Sequence, residues 1–503
     1  QYGLAEPPKG AYIEKFEFDC RRFKLPPNVA GIHLLSHMSL MQLAATAFYD
    51  AGFKVQESRQ NIAVIVAADN DFLCYRYQAR NEAAWHVKDS LQRSGIALSD
   101  EQVSQLETIV KDSLFPAPYA EGITGGINNV VASRISANLK LNGPAFTVSA
   151  QENSVFRAVE LAHFLLTLDD IDAVMVGSGS FCGGLEDVLI NQSHTPADMQ
   201  ATGFSYDAKA SGYNVGEGGG VIVLRTLESV QRDKQDAYAV IDGLTLQHCH
   251  PEQVHSDPSE RAQAQSSINS LFQQVGCNPS DIGLLELNAA GISSLDSQEI
   301  PLLAEVYGGV SNQTPVVGSV KSNFGHLQAA SGMASMIKTA LCLNQSFLPA
   351  TPNWSGFKDG YKAYANHFNV LEKSQAWSSK QGVARRAAIS SLSRDNSLAH
   401  MLMSSVPPNV NNKELTDIDM EALDGTVPER SEKAIAAGCD VVLNCWAKLD
   451  DMAGIAQRLP EMPQGAAKRL GAALAWPSRR DDADRTELIA KRDALLKISA
   501  VQA

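Results

Sequence analysis

Six short runs along this chain are apolar at almost every position: residues 62–67, 146–149, 173–177, 220–224, 239–241 and 284–287. Runs of that length, bounded by Gly, Pro, Asn and Asp, predict strands buried on both faces. A last pair, 387–392 and 399–404, is close enough in sequence to form an antiparallel hairpin. Between the runs, apolar residues recur at helical spacing over 34–51, 128–139, 154–168, 260–274, 296–307 and 326–343. Strands alternating with helices predict a layered α/β architecture. Residues 70–121 read as a charged, partly helical insertion. The stretch Val406-Pro407-Pro408-Asn409-Val410-Asn411-Asn412 has no periodicity and reads as a linker. It predicts a body over 1–405, a linker over 406–413 and a tail over 414–503.

Composition narrows the function classes. The 503 residues carry 42 Lys and Arg against 56 Asp and Glu, a net charge of −14, and 44% are hydrophobic. That apolar fraction excludes disorder for the whole chain, and the length allows roughly two to four domains. The negative balance argues against nucleic acid as a partner, because a polyanion is held by a basic face. No stretch reaches the roughly 18 consecutive apolar residues of a membrane span. Gln1 is not an initiator Met and no signal-like run follows it, so the chain reads as excised or processed. The eight cysteines are scattered singly without a CxxC, which is ordinary usage for a reducing, cytoplasmic compartment. His248-Cys249-His250 with His255 is the nearest approach to a metal cluster. Adjacent residues of an extended segment face opposite ways and no second ligand pair follows, so a polar loop is expected and no metal or cofactor.

Three glycine-punctuated segments stand apart. The first, Gly143-Pro144-Ala145-Phe146-Thr147-Val148-Ser149-Ala150-Gln151-Glu152-Asn153-Ser154, reads as turn, strand and helix start. A residue at that junction meets unpaired amides that favour negative charge. The second runs from Gly203 to Leu224 and includes Gly216-Glu217-Gly218-Gly219-Gly220. It lacks the spacing and following lysine of a phosphate loop, and reads as tight backbone packing ahead of a strand. The third is Val317-Gly318-Ser319-Val320-Lys321-Ser322-Asn323-Phe324-Gly325-His326.

In this order and spacing the three segments resemble β-ketoacyl synthases, the condensing enzymes of fatty-acid and polyketide assembly, over about residues 1–405. The opening Gly10-Ala11-Tyr12-Ile13-Glu14 through Phe23-Lys24-Leu25-Pro26-Pro27, and the helix start Gln151-Glu152-Asn153-Ser154, are similar to the ketosynthase-like and chain-length-factor domains of polyunsaturated fatty acid synthases and related glycolipid synthases. The resemblance implies a thiolase-like, five-layer αβαβα fold with halves at 1–230 and 231–405, plus a small C-terminal appendage. It also implies a dimer through a sheet edge and nearby helices.

The resemblance assigns roles residue by residue, and this chain departs from them. An active relative carries a cysteine at the helix start, held as thiolate, to accept an acyl chain from an acyl carrier protein. The matching position here is Glu152, and a carboxylate there forms only a mixed anhydride. The first catalytic histidine is matched by Asn288, in Glu286-Leu287-Asn288; the second is retained as His326, with Lys321 five residues before it. The glycine-rich oxyanion loop is matched by Ser391-Leu392-Ser393-Arg394-Asp395-Asn396-Ser397-Leu398-Ala399-His400, so Arg394, Asp395 and Asn396 alter the pocket in which a backbone amide binds the thioester oxygen. Glu152 and Arg394 are expected to pair across the site, with a water-filled cavity as the alternative. Lys321 is expected in an internal ion pair, and His326 as a packed core histidine.

The tail is read separately. Residues 416–445, from Thr416-Asp417 to Asn444-Cys445, resemble the end of a family-3 β-N-acetylhexosaminidase barrel. Only about two of eight βα units are present, too few to close a barrel, so no glycosidase activity is expected. For the body the expectation is a non-condensing, chain-length-factor-like domain that pairs with an active ketosynthase or with itself and shapes an acyl tunnel. Its implied partners are acyl carrier protein and malonyl or acyl thioesters. The alternatives are a decarboxylase of malonyl-carrier protein and an active β-ketoacyl synthase using another residue, with Cys182 the candidate.

Overall fold

The structure is a computed structural model. It describes residues 6–25, 35–55, 61–69, 73–114, 117, 127–168, 170–248, 258–308, 314–379 and 383–407, then 416–417, 426, 429, 431 and 442–443. The chain divides into two units, Gln1–Pro407 and Pro408–Ala503.

In the first unit, strand β2 (Ile62–Ala67) is buried along its whole length, and its side chains divide by parity. Ile62, Val64 and Val66 enter one core, while Ala63, Ile65 and Ala67 enter another. Successive strand residues leave on opposite faces, so an uninterrupted apolar run is what a sheet covered on both sides requires. The first sheet has the order β1-β5-β4-β2-β3. Its other strands are β1 (Gly10–Ala11), β3 (Ala145–Val148), β4 (Ala173–Phe181) and β5 (Val215–Leu224). Strand β2 runs parallel to β3 and β4, and β5 runs antiparallel to β4.

On the outer face of this sheet lie α1 (Leu35–Asp50) and α4 (Asn128–Leu139), which contribute Leu40, Phe48, Val131 and Ile135 to the first core. Two helices, α2 (Leu73–Ser94) and α3 (Asp100–Leu114), pack on each other within the charged insertion. Helices α5 (Ser154–Leu166), α6 (Leu185–His194) and α7 (Leu227–Arg232) complete the half.

The second sheet has the order β10-β8-β7-β12-β13-β6. It comprises β6 (Val240–His248), β7 (Ile282–Glu286), β8 (Val316–Gly318), β10 (Asn369–Val370), β12 (Arg386–Leu392) and β13 (Ser397–Ser404). A small antiparallel pair, β9 (Phe347–Leu348) with β11 (Gln375–Ala376), stands apart. Helices α8 (Pro258–Val275) and α9 (Ser293–Tyr307) cover the outer face through Ile268, Leu271, Ile300 and Leu303. Between the two sheets lies a shared layer, α5 and α10 (Ser331–Gln345), with Val155, Val159, Met333 and Met336 packed against residues of both. Helix, sheet, helix, sheet, helix: the five-layer thiolase-like arrangement is present.

Two expectations are corrected. The 326–343 helix begins only at Ser331, because Gly325 and Gln328 both have positive φ (72° and 46°) and a 3₁₀ turn fills Gln328–Ala330. The glycine run of the second segment does not precede a strand; from Val215 onward it is part of β5. In the second unit, β14 (Thr416–Asp417) pairs in parallel with β15 (Val442–Leu443). The expected linker lies outside the described residues except for Val406 and Pro407, and so does most of the expected appendage.

Candidate functional site

Glu152 sits in a 3₁₀ turn, Gln151–Asn153, between β3 and α5. Gln151 has φ +49°, a conformation L side chains rarely take, and Ser154 Oγ stabilises the turn by donating to Gln151 O at 2.6 Å and accepting from Ala150 N at 2.9 Å. The sharp reversal turns the Glu152 side chain into the interior, where the residue is 4% exposed. Its carboxylate is surrounded by donors. Oε2 accepts from Ser393 Oγ at 2.7 Å and from Arg394 N at 3.2 Å, and Oε1 lies 3.1 Å from Arg394 Nε. Arg394 also donates from Nη1 to Asn191 Oδ1 at 3.2 Å. The expected Glu152–Arg394 pair forms.

The Ser393–Asn396 turn that delivers Arg394 is fixed by its own bonds. Asn396 N donates to Ser393 O at 2.9 Å, and Asn396 adopts φ +63°. Asp395 Oδ1 accepts from Ser397 N at 3.0 Å and Ser397 Oγ at 2.7 Å. Asn153 Nδ2 reaches Ser397 O at 2.9 Å and so ties α5 to the same turn. Asp395 and Asn396 therefore shape the turn, while Arg394 alone of the three bonds Glu152.

The second corner is made within the later half. Asn288 follows β7 and is 3% exposed. Its Nδ2 donates to Leu392 O at 2.9 Å, and its Oδ1 accepts from Lys321 Nζ at 3.0 Å. Lys321 Nζ also donates to Asn288 O at 2.9 Å. Lys321 thus bonds an amide and a carbonyl rather than forming the expected ion pair. Burial depresses its pKa, with the nearby Glu299, Glu286 and Glu152 charges opposing that shift. Two buried carboxylates fix the frame. Glu299 accepts from Asn288 N at 2.6 Å, Ala289 N at 2.8 Å and Tyr206 Oη at 2.7 Å. Glu286 accepts from Val320 N at 2.6 Å and pairs with Lys338 at 2.5 Å. Burial pushes Glu299 upward, and burial with the Glu299 charge pushes Asp296 up to about 7.

His326 is held by backbone approach. A Cβ at Gly216 would lie 2.0 Å from Phe324 O, so only glycine lets this segment reach β5, where His326 N donates to Asn214 O at 2.8 Å. Its ring is 2% exposed. Nδ1 accepts from Gln328 N at 3.1 Å, which puts the proton of the neutral ring on Nε2, and among the described residues Nε2 has no partner. Burial first, then the Lys321 and Arg394 charges, holds the pKa well below the usual histidine value. At neutral pH His326 is an uncharged hydrogen-bond donor.

Cys182 follows β4 and accepts from Ser180 Oγ at 3.2 Å. His248 ends β6, whereas Cys249, His250 and His255 lie outside the described residues. Among the described residues no group of three or more His, Cys, Asp or Glu side chains is arranged to hold a metal ion, and no helix is long and apolar enough to cross a membrane. The sequence places Ser393 in the altered oxyanion loop without a role of its own, and it leaves Asn191 unmarked. Glu299 leaves a trace, as an acid inside the apolar run of α9.

Residues 3–229 match the family model for the β-ketoacyl synthase N-terminal domain, and residues 238–355 match that for the C-terminal domain. The chain is similar to a polyunsaturated fatty acid synthase polypeptide of Thraustochytrium sp., 27% identical over 481 residues, covering 93% of this chain and 21% of that protein. An alignment of that reach extends past residue 407 into the second unit. Polyketide synthase GfsA of Streptomyces halstedii is 30% identical over 57% of this chain and 4% of its own length. Among solved structures, the PfaC keto synthase–chain length factor is 30% identical with a TM-score of 0.62, covering 80% of this chain and 37% of that one. Ketosynthase twelve of the bacillaene polyketide synthase from Bacillus amyloliquefaciens has a TM-score of 0.63 at 22% identity, over 80% of this chain and 65% of that one. The chain therefore spans only a small fraction of the curated relatives it matches.

Proposed function

This chain belongs to the β-ketoacyl synthase family, and we propose that it serves there as a non-condensing, chain-length-factor-type domain of a polyunsaturated fatty acid or polyketide synthase. In that role it pairs with an active ketosynthase or a second copy of itself and shapes the path of a growing acyl chain carried by acyl carrier protein. The observation that carries this reading is the state of Glu152. Its carboxylate accepts from Ser393 Oγ, Arg394 N and the Arg394 guanidinium at the helix start. Bonds of this kind occupy the carboxylate lone pairs and lower its nucleophilicity. They also engage the Arg394 amide, which in an active relative would be free for a thioester oxygen. Asn288 has both ends of its side-chain amide bonded internally. Strand β3, at an edge of the first sheet and half-buried throughout, supplies an edge for a partner.

The test is intact-mass measurement after exposure to acyl- and malonyl-carrier protein, with co-purification against a cognate ketosynthase. The expected result is an unchanged mass and a stoichiometric complex; a covalent acyl adduct would overturn the reading. One observation favours a second reading, decarboxylation of malonyl-carrier protein: the unpartnered Nε2–H of His326 is placed to donate to a carbonyl or enolate oxygen. Carbon dioxide release by the wild type that disappears in Glu152→Ala would select it.

A further inference from the structure

Asn288 and Lys321 are both buried, and the lysine is held there without a carboxylate partner. Its Nζ donates to Asn288 O at 2.9 Å and to Asn288 Oδ1 at 3.0 Å, and among the described residues it forms no ion pair. Lys338 of α10 differs, because it meets Glu286 at 2.5 Å. A buried ammonium without a paired charge is costly, so burial drives Lys321 toward the neutral amine. A neutral amine has two hydrogens, and the two oxygens of Asn288 accept both. Its lone pair is then free, and a desolvated lysine in that state is a nucleophile.

An electrophile lies beside it. Asn288 Cγ is one C=O bond beyond Oδ1, so Nζ is within about 4.2 Å of that carbon. Asn288 Nδ2 donates to Leu392 O at 2.9 Å, which fixes the amide with Oδ1 toward Nζ. Rotation about the lysine Cε–Nζ bond turns the lone pair onto Cγ. Acids surround the pair: the charges of Glu299, Glu286 and Glu152, in that order of strength, act on Lys321. Glu299 also accepts from Asn288 N and Ala289 N, and burial raises its affinity for a proton.

We propose that Lys321 Nζ and Asn288 Cγ join in an intramolecular amide bond, an isopeptide cross-link between the end of β7 and the segment after β8. The Lys321 ammonium first gives up one proton, which Glu299 takes. The Nζ lone pair attacks Cγ, the Cγ–Nδ2 bond breaks, and a second Nζ proton passes to Nδ2. Nδ2 leaves as ammonia and carries off the Glu299 proton as ammonium, while the third hydrogen stays on the new amide nitrogen. No electrons are gained or lost, and proximity replaces an external catalyst. The link sets a neutral group where a buried cation stood. It also closes a loop across the paired strands β7 and β8, which restricts the unfolded chain. This inference goes beyond the reading of Glu152 and stands without it.

The test uses the full 503-residue chain with no acyl donor added, so its outcome is separate from that of the adduct measurement. The purified protein is unfolded and digested after glutamate, which puts Asn288 in fragment 287–299 and Lys321 in fragment 306–372. Tandem mass spectrometry should find one branched peptide, equal in mass to the two fragments less one ammonia, with its branch at residues 288 and 321. The branch is located directly because an N-terminal glutamine such as Gln1 also loses ammonia when it cyclises. In Lys321→Arg and in Asn288→Ala the two fragments should separate completely. Wild-type fragments recovered mainly apart, each at its full sequence mass, overturn the proposal. So does a branched peptide that persists in Lys321→Arg. The wild-type digest decides by itself if either variant fails to fold.

Discussion

Gln151-Glu152-Asn153-Ser154 and Gln328-Ala329-Ala330-Ser331 open α5 and α10 in the same way. Each glutamine has positive φ, each run is a 3₁₀ turn, and each serine hydroxyl accepts from the amide four residues earlier, at 2.9 Å in Ala150 and 3.1 Å in Leu327. The two turns pack against each other at the centre of the molecule. They differ in the two middle residues, Glu152 and Asn153 in one and Ala329 and Ala330 in the other, and only Glu152 among these buried residues carries a charge. The strained turn is thus a property of the repeated half-fold, whereas the chemistry at its apex is set by one side chain. The surroundings adapt accordingly. The Ser393–Asn396 turn gives Glu152 three donors, and the later half uses the carboxylates Glu286 and Glu299 to fix the segments around Asn288 and Lys321.

The largest test of this contrast is Arg394→Ala. It acts on one helix start only, leaving a buried carboxylate with Ser393 and a backbone amide as donors. Loss of a buried ion's partner costs about 3–5 kcal/mol, and with the Arg394 side chain 32% exposed the expectation falls to about 2 kcal/mol. Chemical denaturation measures it, and Glu152→Gln in the same background should recover most of the loss. Equal destabilisation with and without Glu152→Gln would show that the pair is not what couples the turn to α5.

A smaller effect separates the halves by pH. The Asp296 carboxyl, raised to about 7, keeps its proton in the folded state where the unfolded chain has lost it. Stability then falls as pH rises from about 4 to about 7, because the folded state binds more protons across that window. Asp296→Asn should flatten that slope in denaturant midpoints taken across the window. An unchanged slope would place the proton elsewhere in the Asp296–Glu299 pair.

The smallest test asks whether the two turns are equivalent. Gln151→Gly and Gln328→Gly each relieve a positive φ, worth about 0.5–1 kcal/mol before the entropy of the unfolded glycine is counted. Thermal midpoints should shift alike in the two variants. A gain confined to Gln328→Gly would mean that Gln151 is held by more than its backbone conformation.

Much of the scaffold was legible because burial on two faces demands unbroken apolar runs. Residues 62–67 and 128–139 coincide with β2 and α4, and most other predicted elements fall within a few residues of the observed ends. Strand β8 escaped notice because Val316-Val317-Gly318 is too short to display a period. The first half of β5 escaped because glycines, chosen for close backbone approach, erase the alternation that marks a strand. Helix α10 was begun five residues early, since small apolar residues after His326 look helical until the positive φ at Gly325 and Gln328 is known.

The linear order of residue types was enough to establish the layered α/β plan, the three glycine-marked segments and an acid, Glu152, at the start of a helix, since these depend on local periodicity and on the identity of single positions. Folding alone decided that Arg394, some 240 residues downstream of Glu152, would donate to it from both backbone and side chain, and that Lys321 would meet an amide instead of a carboxylate. Such contacts join residues far apart in sequence. Their geometry is set by how whole layers stack, and no local pattern encodes that.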